Sequence, residues 1–128
     1  MWINANAGEI AAMKELNKRG FYYQWLSHHQ FHKHDILAIK NDTKIRIEVK
    51  SCMELNIYPN KNLRIIRDTA GSGREYKSRI DFFIVAIMQD SPWINPKEFW
   101  VIPTYNKKPN DKVFLNNFDL LEKFKARR

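Results

Sequence analysis

The sequence predicts one domain, residues 1–128, of α/β or α+β class, with a central mixed β-sheet flanked by helices. Three observations carry that expectation. The octamer KIRIEVKS, residues 44–51, alternates Ile45, Ile47 and Val49 with Arg46, Glu48 and Lys50, the period of a strand with one dry face. The run IDFFIVAIM is nearly continuous apolar sequence, as a strand covered on both faces requires. A helix-period segment precedes the strands, so a helix, three strands and then a buried strand assemble most simply into one mixed sheet.

The elements follow in order. Residues 9–19 place Ile10, Met13, Leu16 and Asn17 at helical spacing, with Asn6 or Ala7 near the start and Gly20 as the stop. GFYYQWL reads as an aromatic-rich strand, SHHQFHKH as a polar connection, and DILAIK as the next strand. NDT then turns the chain into KIRIEVKS, which predicts an antiparallel hairpin. Residues 53–79 are less regular, and Gly71 and Gly73 bracket an expected mobile loop. EFWVIP is a shorter strand that stops at Pro103, and NNFDLLEKFKARR reads as a C-terminal helix with a basic end. Trp2, Trp25, Trp93 and Trp100 are expected in the core or at an interface. There is no internal repeat and no low-complexity tract.

Bulk properties narrow the class. With 128 residues, 44% hydrophobic and 13% aromatic, the chain has apolar material for a single packed core. A single cysteine, Cys52, excludes an intramolecular disulfide framework and a cysteine-based zinc site. The start of the chain lacks the order of a signal peptide, and no apolar run reaches the roughly 18 residues of a membrane span, so a soluble, cytoplasmic protein is expected. Lys plus Arg number 22 against 14 Asp plus Glu, a net charge of +8. Such a surplus suits a polyanion, nucleic acid first, because each phosphate contact releases counterions; charge kept only for solubility is the alternative.

The charged face of KIRIEVKS is a solvated face unless a second carboxylate stands beside it. Asp35 opens the preceding strand, and a hairpin centred on NDT would set it beside Glu48. Neighbouring carboxylates repel and call for a proton, a base or a metal ion. Mg²⁺ needs only one or two carboxylates besides water and phosphate, so Asp35 and Glu48 are the candidate ligands, with Mn²⁺ as a substitute. Lys50 shares the face of Glu48 and is placed to orient or deprotonate an attacking water. That set points to phosphodiester hydrolysis.

Other residues keep two readings each. His28, His29, His32 and His34 form a polar surface loop, a zinc site or a phosphate contact, with His34 next to Asp35. Asp81 caps a strand or pairs with a basic residue, against a direct catalytic role. Arg64, Arg67, Arg74, Lys77 and Arg79 are candidate DNA-backbone contacts, against solvated charge.

Glu9 in a first helix, Asp35 at a strand start and the triplet EVK (Glu48, Val49, Lys50) resemble the PD-(D/E)XK nuclease superfamily. GEIAAMKELNKRGFYY is similar to the family's first helix with its acidic residue and terminal glycine, and HDILAI to the strand that opens with its metal-binding aspartate. REYKSRIDFFIVAI and EFWVIP resemble later segments of its small homing-endonuclease and Holliday-junction-resolvase members. The family's name-giving proline does not precede Asp35. The resemblance implies a restriction-endonuclease-like domain and a Mg²⁺-dependent endodeoxyribonuclease. In it Asp35 and Glu48 would be metal ligands, Lys50 the water-positioning or transition-state-stabilising residue, and Glu9 an outer acidic partner. For Glu9 the alternative is a first-turn helix acid that complements the dipole. A homodimer is the expected assembly for so small a nuclease, and the subtype leans to homing endonuclease over junction resolvase. A non-catalytic nucleic-acid-binding module is the alternative from another class.

Overall fold

The computed structural model describes residues 5–25, 36–53, 80–88, 96–104 and 114–124. Helix α1 (Ala5–Lys18) opens the fold. Its end is set by Gly20, whose φ of 86° lies in the left-handed region that glycine adopts without strain. There the Phe21 N–H donates to the Leu16 carbonyl and the Gly20 N–H to the Asn17 carbonyl, both at 3.0 Å, closing the last turn in a Schellman arrangement.

The helix turns only half of the expected stripe, Met13 and Leu16, to the core. Ala12, Met13 and Leu16 are buried together with Glu9, whereas Ile10 and Asn17 are exposed. The cause is the close approach of helix and sheet. At Gly8 an added Cβ would overlap the Ser51 hydroxyl and lie 3.6 Å from the Ala86 methyl. Small residues, Gly8, Ala11 and Ala12, therefore face the strands, and the bulkier Ile10 is left outside.

Among the described residues, five strands form one sheet in the order β1-β2-β3-β4-β5. They are β1 (Tyr22–Trp25), β2 (Ile36–Lys40), β3 (Thr43–Met53), β4 (Phe82–Met88) and β5 (Pro96–Pro103). The β1/β2, β2/β3 and β4/β5 pairs are antiparallel and β3/β4 is parallel, so the sheet is mixed, as expected. The hairpin between β2 and β3 is tighter than NDT implies. Lys40 already pairs with Thr43, leaving Asn41 and Asp42 as a two-residue turn with φ of 49° and 67°, the signs of a type I′ turn.

Along β3 the alternation is realised: Ile45, Ile47 and Val49 are buried, and Arg46, Glu48 and Lys50 are half-buried on the other side. Every residue of β4 is buried, as its unbroken apolar sequence demands. Two apolar layers result. The larger joins α1 to Ile36, Ile45, Ile47, Ile84 and Val101, and the smaller joins Phe83, Val85, Ile87, Trp100, Ile102 and Phe114.

Two elements differ in extent from the expectation. Strand β5 begins at Pro96, ahead of EFWVIP. The C-terminal helix, α2 (Asp119–Glu122), is only four residues long. Its upstream residues are committed elsewhere, because Asn116 (φ 52°) docks on β5: its side-chain oxygen accepts from the Phe99 N–H at 2.8 Å and its N–H donates to the Phe99 carbonyl at 2.7 Å. The chain thereby wraps the β5 edge, with Phe114 in the smaller apolar layer and Phe118 and Leu121 in the larger. Lys40 ties the far ends together, its ammonium donating to the Arg19 carbonyl at 2.8 Å and to Glu122 Oε1 at 2.7 Å. Trp100 is buried and Trp25 packs against the larger layer, whereas Trp2, Trp93, the Gly71–Gly73 loop and the basic tail beyond Phe124 lie outside the described residues. No described helix is long and apolar enough to cross a membrane.

The contact between Gly8 and Ser51 gives a direct test. Gly8→Ala gains about 1 kcal/mol of helix propensity but introduces overpacking of about 1–3 kcal/mol, so a net loss of stability is expected in thermal unfolding. The buried Ser51 hydroxyl has no hydrogen-bond partner. Ser51→Ala should accordingly be mild by itself and should recover most of the Gly8→Ala loss. An undiminished loss in that background would show that the helix does not approach β3 there.

Candidate active site

The charged face of β3 starts at Arg46, whose neighbours fix its position. The Arg46 N–H donates to Asp81 Oδ2 at 2.8 Å, its Nε reaches the same oxygen at 3.3 Å, and its Nη2 donates to Asp81 Oδ1 at 3.0 Å. The Asp81 N–H returns a bond to the Arg46 carbonyl at 2.8 Å. On the far side the Thr104 N–H donates to the Asp81 carbonyl at 3.1 Å, and its hydroxyl donates to the Ile80 carbonyl at 2.7 Å. The Asp81 carboxylate thus ties β3 to the entry of β4, and the backbone carbonyls of Ile80 and Asp81 tie that entry to the end of β5. Asp81 pairs with a basic residue, the arrangement expected over direct catalysis.

Two and four residues beyond Arg46 on that face come Glu48 and Lys50. Lys50 Nζ stands 4.0 Å from Glu48 Oε1. The Glu48 side chain is 14% exposed and the Lys50 side chain 38%. The difference follows from β4, which sets Phe83 beside Glu48 and Val85 beside Lys50 in parallel register. Phe83 belongs to the smaller apolar layer, so the carboxylate is partly removed from water while the longer lysine carries its ammonium outward. A carboxylate in such surroundings favours a nearby cation more strongly than one in bulk water does.

Glu48 also occupies a particular place in the sheet. The described pairing of β2 with β3 ends at Ile36 and Ile47, so Glu48 is the first β3 residue past it. Gly8, the neighbour of Glu9 in α1, abuts Ser51, whose side chain projects from β3 to the face opposite Glu48 and Lys50. Glu9 is the fifth residue of its helix and only 4% exposed, which removes the reading of it as a first-turn, solvent-facing acid. The structure therefore brings Glu48 and Lys50 together, and it buries Glu9 within α1, which packs on the other face of the sheet.

Asp35, His28, His29, His32, His34, Arg64, Arg67, Arg74, Lys77 and Arg79 lie outside the described residues. Among the described residues no group of three or more His, Cys, Asp and Glu side chains converges as a metal cage. Sequence reasoning missed Arg46 as the partner of Asp81, along with Thr104, Gly8 and Ser51. The signal for Arg46 lay in the β3/β4 register: once Ile47 aligns with Phe82, Arg46 falls level with Asp81.

No protein-family model matches the chain, and no curated protein does. Among solved structures, the bacterial homing endonuclease I-Ssp6803I superposes with a TM-score of 0.57, over 91% of this chain and 87% of that one, at 14% sequence identity. The two chains share a fold.

The clamp and the pair should behave differently when cut. Lys50→Met removes one half-exposed partner at 4.0 Å and should change stability by less than about 1 kcal/mol in denaturant unfolding. Asp81→Ala strips acceptors from a backbone N–H and a guanidinium together and should cost about 2 kcal/mol or more. Equal losses would contradict this division of roles.

Proposed function

We propose that the protein is a Mg²⁺-dependent endodeoxyribonuclease of the PD-(D/E)XK type, acting on DNA phosphodiester bonds in the manner of a homing or restriction endonuclease. The observation that carries the proposal is the Glu48–Lys50 pair, a half-dehydrated carboxylate with an ammonium 4.0 Å away on the charged face of β3. The fold shared with a bacterial homing endonuclease supports it.

The donor chemistry fits a hard divalent ion. Mg²⁺ takes oxygen ligands and settles for one or two protein carboxylates, and Glu48 offers such oxygens beside an apolar wall. Asp35 is the proposed second ligand: in the sequence it directly precedes Ile36, the β2 residue that pairs with Ile47 next to Glu48. When bound, the ion supplies Lewis-acid charge against the phosphate oxygens. The chain's own residues do the rest. Glu48 and Asp35 would hold the ion. Lys50 directs its ammonium to the same place, where it orients the attacking water or stabilises the extra negative charge of the transition state. Glu9 acts as an outer acid behind β3. Arg64, Arg67, Arg74, Lys77, Arg79 and His34 contact the DNA backbone, in keeping with a net charge of +8. The working form is a homodimer, which gives two strands two sites.

The charge surplus equally supports a second reading, a nucleic-acid-binding module without catalysis, and a junction resolvase is the alternative within the nuclease class. A cleavage panel of supercoiled plasmid, linear duplex and four-way junction separates them. Mg²⁺ or Mn²⁺ should permit nicking of plasmid or duplex and EDTA should abolish it. Glu48→Gln and Lys50→Met should each lower the rate by about 10²-fold or more while gel-shift binding persists. Cutting confined to the junction favours the resolvase, and binding with no cutting on any substrate favours the module.

A further inference from the structure

We propose that Asp81 is a positioning residue for the Glu48 site: by holding the Arg46 guanidinium, it keeps Arg46 from neutralising the carboxylate that would bind the metal ion. The inference rests on the reading of Glu48 as a metal ligand and adds to it a residue at the entry to β4.

Arg46 and Glu48 are same-face neighbours on β3, two residues and so about 7 Å apart along the strand. An extended arginine spans that distance. Its planar fork matches a carboxylate in a bidentate, charge-assisted pair, a stronger competitor for the Glu48 oxygens than the point charge of Lys50. What opposes this is geometry that Arg46 already has. Asp81 Oδ2 accepts from both the backbone N–H and the Nε of Arg46, and Asp81 Oδ1 takes Nη2 at 3.0 Å. These contacts aim the guanidinium across the sheet at Asp81, level with Arg46 at the entry to β4, and not along β3 toward Glu48. The Asp81 backbone is itself anchored by Thr104, just past β5, and its side chain is only 15% exposed, which limits how far the carboxylate can follow a guanidinium that swings away. Of the two cations that flank Glu48 on this face, one is thus tied back and one, Lys50, is left beside the site.

The test uses the full chain and Mn²⁺ and Mg²⁺ alone as probes, with binding measured by titration calorimetry and folding by circular dichroism and thermal unfolding. Asp81→Asn keeps the shape and an oxygen acceptor for the Arg46 backbone N–H but removes the charge and turns an N–H₂ toward the guanidinium. It should weaken Mn²⁺ binding by about 10-fold or more, the range seen when groups behind a metal ligand are altered. Adding Arg46→Met to Asp81→Asn should return the affinity to within about 3-fold of the unaltered chain, roughly half a decade, while the lowered melting temperature stays low. A purely structural role for Asp81 would not show that rescue. Arg46→Met alone should leave Mn²⁺ binding close to that of the unaltered chain. Affinity unchanged in Asp81→Asn, a double variant as weak as Asp81→Asn, or loss of binding in Arg46→Met each overturns the inference while leaving Glu48 a ligand. Mn²⁺ binding that survives Glu48→Gln intact overturns the metal reading itself, and the inference with it.

Discussion

A β-strand sends successive side chains to opposite sides of its sheet, and this constraint on β3 organises the whole structure. Its odd-numbered positions, Ile45, Ile47 and Val49, must stay dry beneath α1. Its even-numbered positions, Arg46, Glu48 and Lys50, are thereby held on the other side with no freedom to exchange places. A slip of one residue would bury three charges and expose three aliphatic side chains, a change far larger than the stability of a small domain. The charged face is therefore as well determined as the hydrophobic core, because one pattern specifies both.

The neighbours of β3 then give each charge a separate environment. Asp81 and Thr104 fasten Arg46 to the far strands. Phe83 lies beside Glu48 in the parallel register of β3 and β4, and the Glu48 side chain is mostly withdrawn from solvent. Lys50 reaches outward from the same row. Three residues in one short run thus become a structural cation, a half-dehydrated acid and a nearby ammonium. The differences arise from the adjoining strands, since the local sequence treats the three positions alike.

What could be read from the residues alone follows the same division. The alternation of β3, the apolar run of β4 and the stop at Gly20 are local patterns with a single physical interpretation, and they appear where expected. The buried stripe of α1 was misjudged because Ile10 looks like a core residue and Ala12 does not; only the close approach at Gly8 and Ser51 makes small side chains the better fit. Residues 116–128 have helical spacing, yet Asn116 docks on β5 and uses the backbone that a longer helix would need. The pairing of Arg46 with Asp81 spans 35 residues and depends on a parallel register that no local pattern encodes. Glu48 and Lys50 were legible as neighbours for the opposite reason: same-face residues two apart on a strand meet whatever the rest of the chain does.

The central claim is that the Glu48 carboxylate holds a divalent ion next to Lys50. Crystals of the protein soaked in Mn²⁺, with diffraction recorded at the manganese absorption edge, address it most directly. An anomalous peak within coordination distance of the Glu48 oxygens, and on the Lys50 side of β3, is the result predicted. A peak elsewhere on the chain, with Glu48 directed away from it, would contradict the account.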